Sequence, residues 1–189
     1  EMIYLRLSAG IGAGMVAHGR LLTGGNGLAG EVGHLQVEPA GKVCRCGNRG
    51  CLETVASPVA VAELLAESWN RPVDTDELFR LLDANNAGAQ RVVEDAGEAV
   101  GKCVAAMVTL FDPDLIVIGG ELAAAGETLF EPMQRSIRRH VMPSSARRFR
   151  LVAGELGDRA AVLGAAGLVL GTAPDVLARK QNHGGNAGG

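Results

Sequence analysis

Four side chains that can bind a metal lie within eighteen residues of the chain. They are His34, Cys44, Cys46 and Cys51, in the string GHLQVEPAGKVCRCGNRGC. Structural zinc sites use four tetrahedral ligands, and both thiolate sulfur and imidazole nitrogen suit Zn²⁺. One short loop carries all four, and its glycines give the backbone the freedom to wrap tightly. The spacing therefore predicts a closed zinc site.

The cysteines also allow a different interpretation, a disulfide with one spare thiol. No secreted context is visible in the sequence, and in a reducing compartment such clusters favour metal. His34 alone would suit a buried core histidine, but its place after Gly33 and before an apolar alternation favours a ligand. Cys103 lies in the apolar helical run AVGKCVAAMVTLF, where we expect an inert buried thiol.

Composition limits the class of protein. The 189 residues suffice for one domain with a substantial core, and the core must be aliphatic because 47% of residues are apolar and only 3% aromatic. The net charge of −3 is unlike a nucleic-acid-binding surface, and the basic stretch 138–150 is expected to be a helix end and a solvated loop. No apolar stretch is long enough to span a membrane, so we expect a cytoplasmic protein.

Strands and glycine-rich turns are predicted around the metal-binding segment. The predicted elements are a buried strand 2–8, a glycine-rich turn 8–14, a strand pair 15–22, a glycine-rich loop 23–31 and an alternating strand 34–38. The chain opens almost at once in a strand, which we interpret as a fragment of a longer protein.

Helices alternate with buried strands in the rest of the chain, which predicts an α/β fold. Ser57-Pro58 is typical of a helix start, with serine as N-cap and proline at the first position. The other predictions are helices from 74 or 75 through LFRLLDA, over 87–111 and over 126–140, a parallel-type strand LIVI, a strand 149–156 and a closing helix 159–171. The Gly-rich segment 173–189 is expected to be a disordered tail, which leaves 1–172 as the domain.

Four motifs together resemble the ROK family of repressors, open reading frames and sugar kinases. They are GEVGH (30–34), CRCGNRGCLETVAS (44–57), SAGIGAGMVAHGRLLTGGNGLAGE (8–31) and PDLIVIGGELAAAG (113–126). The resemblance implies an actin-like, ribonuclease-H-like ATPase domain, with this chain as its C-terminal lobe and a zinc and sugar site within 30–57. The family's N-terminal lobe, with an Asn-Asp pair, and the winged helix of its repressors would lie outside this chain.

The resemblance assigns sugar binding to Glu31, His34 and Glu53. Carboxylates orient sugar hydroxyls by charge-assisted hydrogen bonds, and the second nitrogen of a zinc-bound imidazole needs a partner. In the family that partner is a sugar hydroxyl, and the zinc is structural. Two solvated surface carboxylates remain the alternative for Glu31 and Glu53.

The resemblance also implies nucleotide contacts at Gly10, Gly12, Gly14, Gly119 and Gly120, since glycine-rich loops bring backbone N–H groups close to phosphate. Tight turns alone would equally explain these glycines. The chain departs from the kinase pattern in one respect, because it has Ser8-Ala9 where kinases usually have Gly-Thr.

A base for phosphoryl transfer would come from the N-terminal lobe, and Asp112, Asp114 and Asp158 are poor substitutes. We therefore expect no catalysis from this chain alone. The resemblance leaves two functions: a sugar-sensing, dimerising domain of a transcriptional regulator that reaches DNA through another segment, or a sugar kinase of glucokinase type that uses ATP and Mg²⁺. Helices 58–68 and 126–140 are candidate surfaces for a homodimer. A bare zinc-stabilised interaction module is a third possibility.

Overall fold

The computed structural model describes residues 1–143, 149–157 and 159–183, with side chains described up to residue 171. Part of the basic stretch 138–150, the candidate base Asp158 and the last six residues of the predicted tail lie outside this description. The chain divides into two compact units, residues 1–155 and 156–189. The first contains the sheet and five α-helices.

A five-stranded mixed sheet forms the centre of the first unit, in the order β3-β2-β1-β4-β5. Its strands are β1 (Met2–Leu7), β2 (Ile11–Ala17), β3 (Arg20–Leu21), β4 (Leu115–Gly119) and β5 (Arg150–Ala153). β1 pairs antiparallel with β2 and parallel with β4, and β4 pairs parallel with β5. The parallel strand predicted for LIVI is thus confirmed.

One short helix, α1 (Glu53–Ala56), is not predicted by the sequence. The helices that follow it in the first unit begin within one residue of their predicted starts; they are α2 (Pro58–Trp69), α3 (Thr75–Asp83), α4 (Ala87–Phe111) and α5 (Glu127–His140). The N-caps of α2, α3 and α4 are side-chain oxygens of Ser57, Asp74 and Asn86, which accept hydrogen bonds from backbone N–H groups of the first turn. In the second unit, α6 (Arg159–His183) continues beyond residue 172, the predicted end of the domain.

Within the first unit, one apolar core joins β1, β4 and the helices α1 to α5. Ile3, Leu5 and Leu7 are buried, so the alternating residues of β1 face the other side of the sheet. α4 and α5 pack closely because Gly97 and Gly101 have no side chain: a Cβ at Gly97 would lie 2.5 Å from the carbonyl oxygen of Leu129 on α5. Within the described residues, no helix combines the length and apolarity needed to cross a membrane.

Two predictions are wrong around the metal loop, the name used here for residues 44–51, which carry the three cysteines of the predicted zinc site. The turn assigned to 8–14 ends at residue 10, because Gly12 and Gly14 lie in β2 and pair with residues of β1. The strand assigned to 34–38 is absent: Val32–His34 is a 3₁₀ turn, and Gln36 makes only an isolated bridge with Cys51. This segment bonds to the metal loop instead of the sheet, since its N–H groups reach the carbonyl oxygen of Gly50.

Candidate metal centre and ligand cleft

The four predicted metal ligands come together in the fold. The ligand atoms of His34, Cys44, Cys46 and Cys51 all lie within 4.8 Å of one another. The Sγ atoms of Cys46 and Cys51 are 3.6 Å apart, and Cys44 Sγ lies 3.5 Å from His34 Nδ1. Zn–S bonds of about 2.3 Å in a tetrahedron place two sulfurs about 3.8 Å apart. The donor set and its spacing therefore fit a four-coordinate zinc ion.

Backbone hydrogen bonds shape the loop that carries the cysteines. The N–H groups of Val37 and Glu38 both donate to the carbonyl oxygen of Gly50. The N–H of Gly50 in turn donates to the carbonyl oxygen of Lys42. Gly50 has φ +66°, and a Cβ there would overlap the Glu38 carbonyl. Only glycine fits this position without distortion, so the loop depends on it to close.

The cysteine thiols differ in acidity. The pKa of Cys51 is raised to about 12, first by burial and then by its contacts with Cys46 and Cys44. The pKa of the exposed Cys46 is lowered, chiefly by a hydrogen bond from the backbone of Asn48. Ligation requires thiolates, so a metal must displace the proton that Cys51 otherwise keeps. All four cysteines of the chain are free thiols that form no disulfide bond.

A cleft of about 440 Å³ lies beside the metal loop. The two predicted sugar-binding carboxylates line it together with three of the predicted phosphate-loop glycines; these residues are Glu31, Glu53, Gly10, Gly12 and Gly14. His34 connects the cleft to the metal cluster, because its Nε2 is 3.8 Å from Glu31 Oε2 while its Nδ1 faces Cys44. One nitrogen is thus available to the metal and the other points toward the cleft.

The two carboxylates of the cleft are held very differently. The side chain of Glu53 is only 12% exposed, and its Oε2 accepts a hydrogen bond of 3.3 Å from the N–H of Ile11. Arg45 forms an ion pair with the same carboxylate, with Nε 3.0 Å from Oε1 and Nη2 3.3 Å from Oε2. Glu31 is 62% exposed, and among the described residues its side chain has a polar contact only with His34. Glu53 is therefore a fixed acceptor, and Glu31 an adaptable one.

Three polar side chains that line the cleft were not predicted, namely those of Tyr4, Arg6 and Arg45. Arg45 lies between two metal ligands, where a charged residue looks like part of a solvated loop, and its partner Glu53 is visible only in three dimensions. Tyr4 and Arg6 carried a usable signal: they alternate with the buried Ile3, Leu5 and Leu7 in β1. Period-two alternation places them together on the opposite sheet face.

Gly119 and Gly120 are not among the residues that line the cleft. A Cβ at Gly119 would overlap the ring and hydroxyl of Tyr4. Gly120 has φ +92°, and a Cβ there would lie 2.5 Å from the Leu7 carbonyl oxygen. Packing and backbone conformation are sufficient reasons for both glycines.

The described candidate bases lie away from the cleft. Asp112 is the C-cap of α4, in the left-handed conformation with φ +43°. Asp114 lies just before β4, where its backbone N–H donates a hydrogen bond of 2.8 Å to the carbonyl oxygen of Glu1. Both precede β4, and neither lines the cleft, whose β1 residues are Tyr4 and Arg6.

Comparison with known proteins agrees with this architecture. The sequence profile that describes the ROK family matches residues 1–172. The glucokinase of Thermotoga maritima is 35% identical over 89% of this chain and 58% of its own length. The DNA-binding transcriptional dual regulator NagC of Escherichia coli is 36% identical over 86% of this chain and 42% of its own length.

Solved structures of the family have the same fold. The crystal structure of the ROK hexokinase from Thermus thermophilus is similar with a TM-score of 0.78 at 41% identity, over 87% of this chain and 55% of that protein. The chain thus spans about half the length of its kinase and regulator relatives. Its mixed α/β fold is that of the actin-like ROK sugar kinases. From the family match and these similarities, we conclude that the chain belongs to the ROK family.

Proposed function

We propose that this chain is the sugar-sensing domain of a ROK-family transcriptional regulator. The observation that carries the proposal is the turn between β1 and β2. Ala9 has no hydroxyl for a phosphate oxygen, and Ser8 cannot replace it because its side chain is buried, at 3% exposure, and does not line the cleft. Of the residues predicted to bind the sugar, Glu31 and Glu53 nevertheless line the cleft and His34 contacts Glu31. A domain that keeps the sugar site and loses a phosphate contact suits sensing better than catalysis.

In this proposal the sugar lies between the metal loop and the sheet. Glu53 accepts two vicinal hydroxyls in an orientation fixed by Arg45 and the N–H of Ile11. Glu31 and the Nε2 of His34 contact the sugar from the other side. Relatives are named for glucose and N-acetylglucosamine, so both sugars are candidates, and xylose and mannose derivatives also suit this donor set.

Zinc has a structural role in the proposal. His34, Cys44, Cys46 and Cys51 would hold it, and a fully ligated Zn²⁺ supplies folding free energy and no activated water. The metal loop also carries Arg45, so closing the loop brings this guanidinium to Glu53. Metal binding would therefore support sugar binding by fixing one loop.

Regulation would follow from a shift between two arrangements of a homodimer. Sugar that binds one arrangement more tightly shifts the population toward it, and DNA contact would come from a segment outside this chain. The candidate interface helices α2 and α5 each bury one face in the core, with Val61 and Leu65 of α2 and Leu129 and Met133 of α5. A dimer would therefore use the outward faces of these helices, and a cytoplasmic location would give it access to DNA.

A sugar kinase is the second candidate. Gly10, Gly12 and Gly14 line the cleft, where backbone N–H groups could approach the phosphates of ATP with Mg²⁺, and two of the compared relatives are a glucokinase and a hexokinase. Under this alternative, Ala9 is a tolerated variation. The base for the sugar hydroxyl would come from outside the described residues.

Assays on the complete protein encoded by the reading frame distinguish the two candidate functions, regulator and kinase. Glucose and N-acetylglucosamine binding is measured by calorimetry, sugar phosphate formation from ATP by a coupled assay, and sugar-dependent DNA binding by gel shift. We expect the protein to bind sugar without transferring phosphate to it. We also expect sugar binding to make the protein either release or bind DNA. Glu53→Gln should weaken sugar binding about 10- to 100-fold, as for hydrogen bonds to a charged group. Sugar-dependent ADP release would establish the kinase instead.

A further inference from the structure

The three thiols of the metal loop differ in their access to solvent. Cys44 and Cys51 are buried, at 3% and 0% exposure, whereas Cys46 is exposed. A Cβ at the neighbouring Gly47 would meet no atom within 4 Å, so the loop is open to solvent beside Cys46. A thiol is oxidised only where the oxidant can reach its sulfur. Cys46 is therefore the thiol of the loop that a dissolved oxidant meets first.

A second thiol lies close enough to Cys46 to form a disulfide with it. The Sγ atoms of Cys46 and Cys51 are 3.6 Å apart, and the sulfurs of a disulfide are about 2.05 Å apart. The two sulfurs thus need to approach each other by about 1.5 Å. The segment between them contains Gly47, which has no close neighbour that would hinder this movement. The exposed end of the loop can therefore close on Cys51.

The other two pairings of these cysteines are less favourable. Only one residue separates Cys44 from Cys46, and a disulfide across so short a segment closes a strained ring. Cys44 and Cys51 are both buried, so the oxidant reaches neither of them before Cys46. Access and spacing together select Cys46 and Cys51 as the reacting pair.

We propose that Cys46 and Cys51 form a reversible redox site, with hydrogen peroxide as the oxidant. In the first step, Cys46 Sγ attacks one peroxide oxygen, the O–O bond breaks, and the other oxygen leaves as water. Cys46 is thereby oxidised to a sulfenic acid, and the peroxide is reduced. In the second step, Cys51 Sγ attacks Cys46 Sγ, the S–O bond breaks, and the oxygen leaves as water with the Cys51 proton. Two thiols and one peroxide thus yield one disulfide and two water molecules.

This disulfide and a bound zinc ion exclude each other. The disulfide removes two of the four predicted ligands, and the remaining pair, Cys44 and His34, cannot make a four-coordinate site. Conversely, zinc binding engages the sulfurs of Cys46 and Cys51, which protects them from the oxidant. The metal loop would therefore lose zinc under oxidation and recover it when a thiol reductant reopens the disulfide.

The pairing can be read directly from peptides. Trypsin places each cysteine of the metal loop on a separate peptide by cleaving after Lys42, Arg45 and Arg49. The complete protein is freed of metal with a chelator, treated with a slight excess of hydrogen peroxide, blocked with iodoacetamide and digested. We expect mass spectrometry to find the Cys46 peptide linked to the Cys51 peptide, about tenfold more abundantly than any link to the Cys44 peptide. Dithiothreitol should remove the link and restore zinc binding, measured by titration.

Substitutions assign the two roles within the pair. Cys51→Ser should leave Cys46 as a sulfenic acid that dimedone labels, and Cys46→Ser should slow peroxide consumption about tenfold. Cys103→Ala is the matched control, because Cys103 is a buried thiol outside the predicted ligand set, and this variant should behave like the wild type. Zinc-loaded wild-type protein should form the link about tenfold more slowly than metal-free protein. Circular dichroism of each variant verifies that the helices are intact.

Three outcomes overturn the inference. A dominant link to the Cys44 peptide would identify a different reacting pair. Oxidation of Cys46 to a sulfinic acid without any link would mean that Cys51 does not complete the reaction. Equal oxidation rates with and without zinc, or unchanged zinc affinity of the cross-linked protein, would contradict the mutual exclusion. These measurements need no substitution and no sugar, so they are decisive whether or not the proposed sugar-sensing function holds.

Discussion

The two sides of the ligand cleft are built from different ranges of the sequence. The metal-loop side is made by contacts between near neighbours, such as the hydrogen bonds from Val37 and Glu38 to Gly50. The sheet side depends on register across the fold, since Arg6 meets Gly12 in one neighbouring strand and Gly119, more than a hundred residues further on, in the other. The first side is a local unit that metal can close, and the second is part of the core sheet. Damage to the two sides should therefore have different consequences.

Removal of one metal ligand should have the largest effect. Cys46→Ser leaves three ligands, and structural zinc sites supply on the order of 10 kcal/mol of apparent free energy. We expect loss of bound zinc, measured by atomic absorption, together with loss of sugar affinity, while the circular dichroism of the helices persists. Cys103→Ala is the control, because Cys103 is buried in α4 and is not among the four clustered metal ligands. Full sugar binding by metal-free protein would contradict the coupling.

Glycine substitutions compare the two sides directly. Gly50→Ala places a Cβ against the Glu38 carbonyl at φ +66°, whereas Gly12→Ala meets only ordinary contact at 3.7 Å. We expect Gly50→Ala to lower the metal affinity, and to lower the free energy of unfolding by about 1–3 kcal/mol. Gly12→Ala should leave both nearly unchanged. Chemical denaturation and zinc titration measure the difference, and equal effects would mean that the metal loop is not the more constrained side.

A smaller effect is expected for the residue that joins the two sides. Arg45 reaches from the metal loop to Glu53, but it is 73% exposed, and exposed ion pairs contribute about 0.2–1 kcal/mol. Arg45→Ala should therefore weaken sugar binding about two- to fivefold with the zinc content unchanged. In a Glu53→Gln background the same substitution should have no further effect, because its partner is already lost. Arg49→Ala in the same loop, outside the cleft, is the control.

The same division explains what the sequence could predict. The metal ligands, the Ser57 cap and the bounds of α4 depend on local chemistry and are found where the sequence places them. The strand predicted at 34–38 is wrong because apolar alternation does not specify a pairing partner, and here the partner is the metal loop. Arg6 escaped notice for the same reason, since its glycine neighbours are defined only by strand register.

Thiol reactivity should show the smallest change, and it tests whether the metal loop opens independently of the core. The pKa of Cys103 is raised to about 12 by burial, so at pH 8 only about one molecule in ten thousand carries its thiolate. The pKa of Cys46 is lowered and its side chain is exposed. Zinc-loaded protein should resist iodoacetamide, chelation should expose Cys46 first, and Cys103 should stay unlabelled until denaturant is added. Mass spectrometry of labelled peptides measures this order. Labelling of Cys103 on chelation alone would mean that metal loss opens the core as well as the loop, and the two sides of the cleft would then be one cooperative unit.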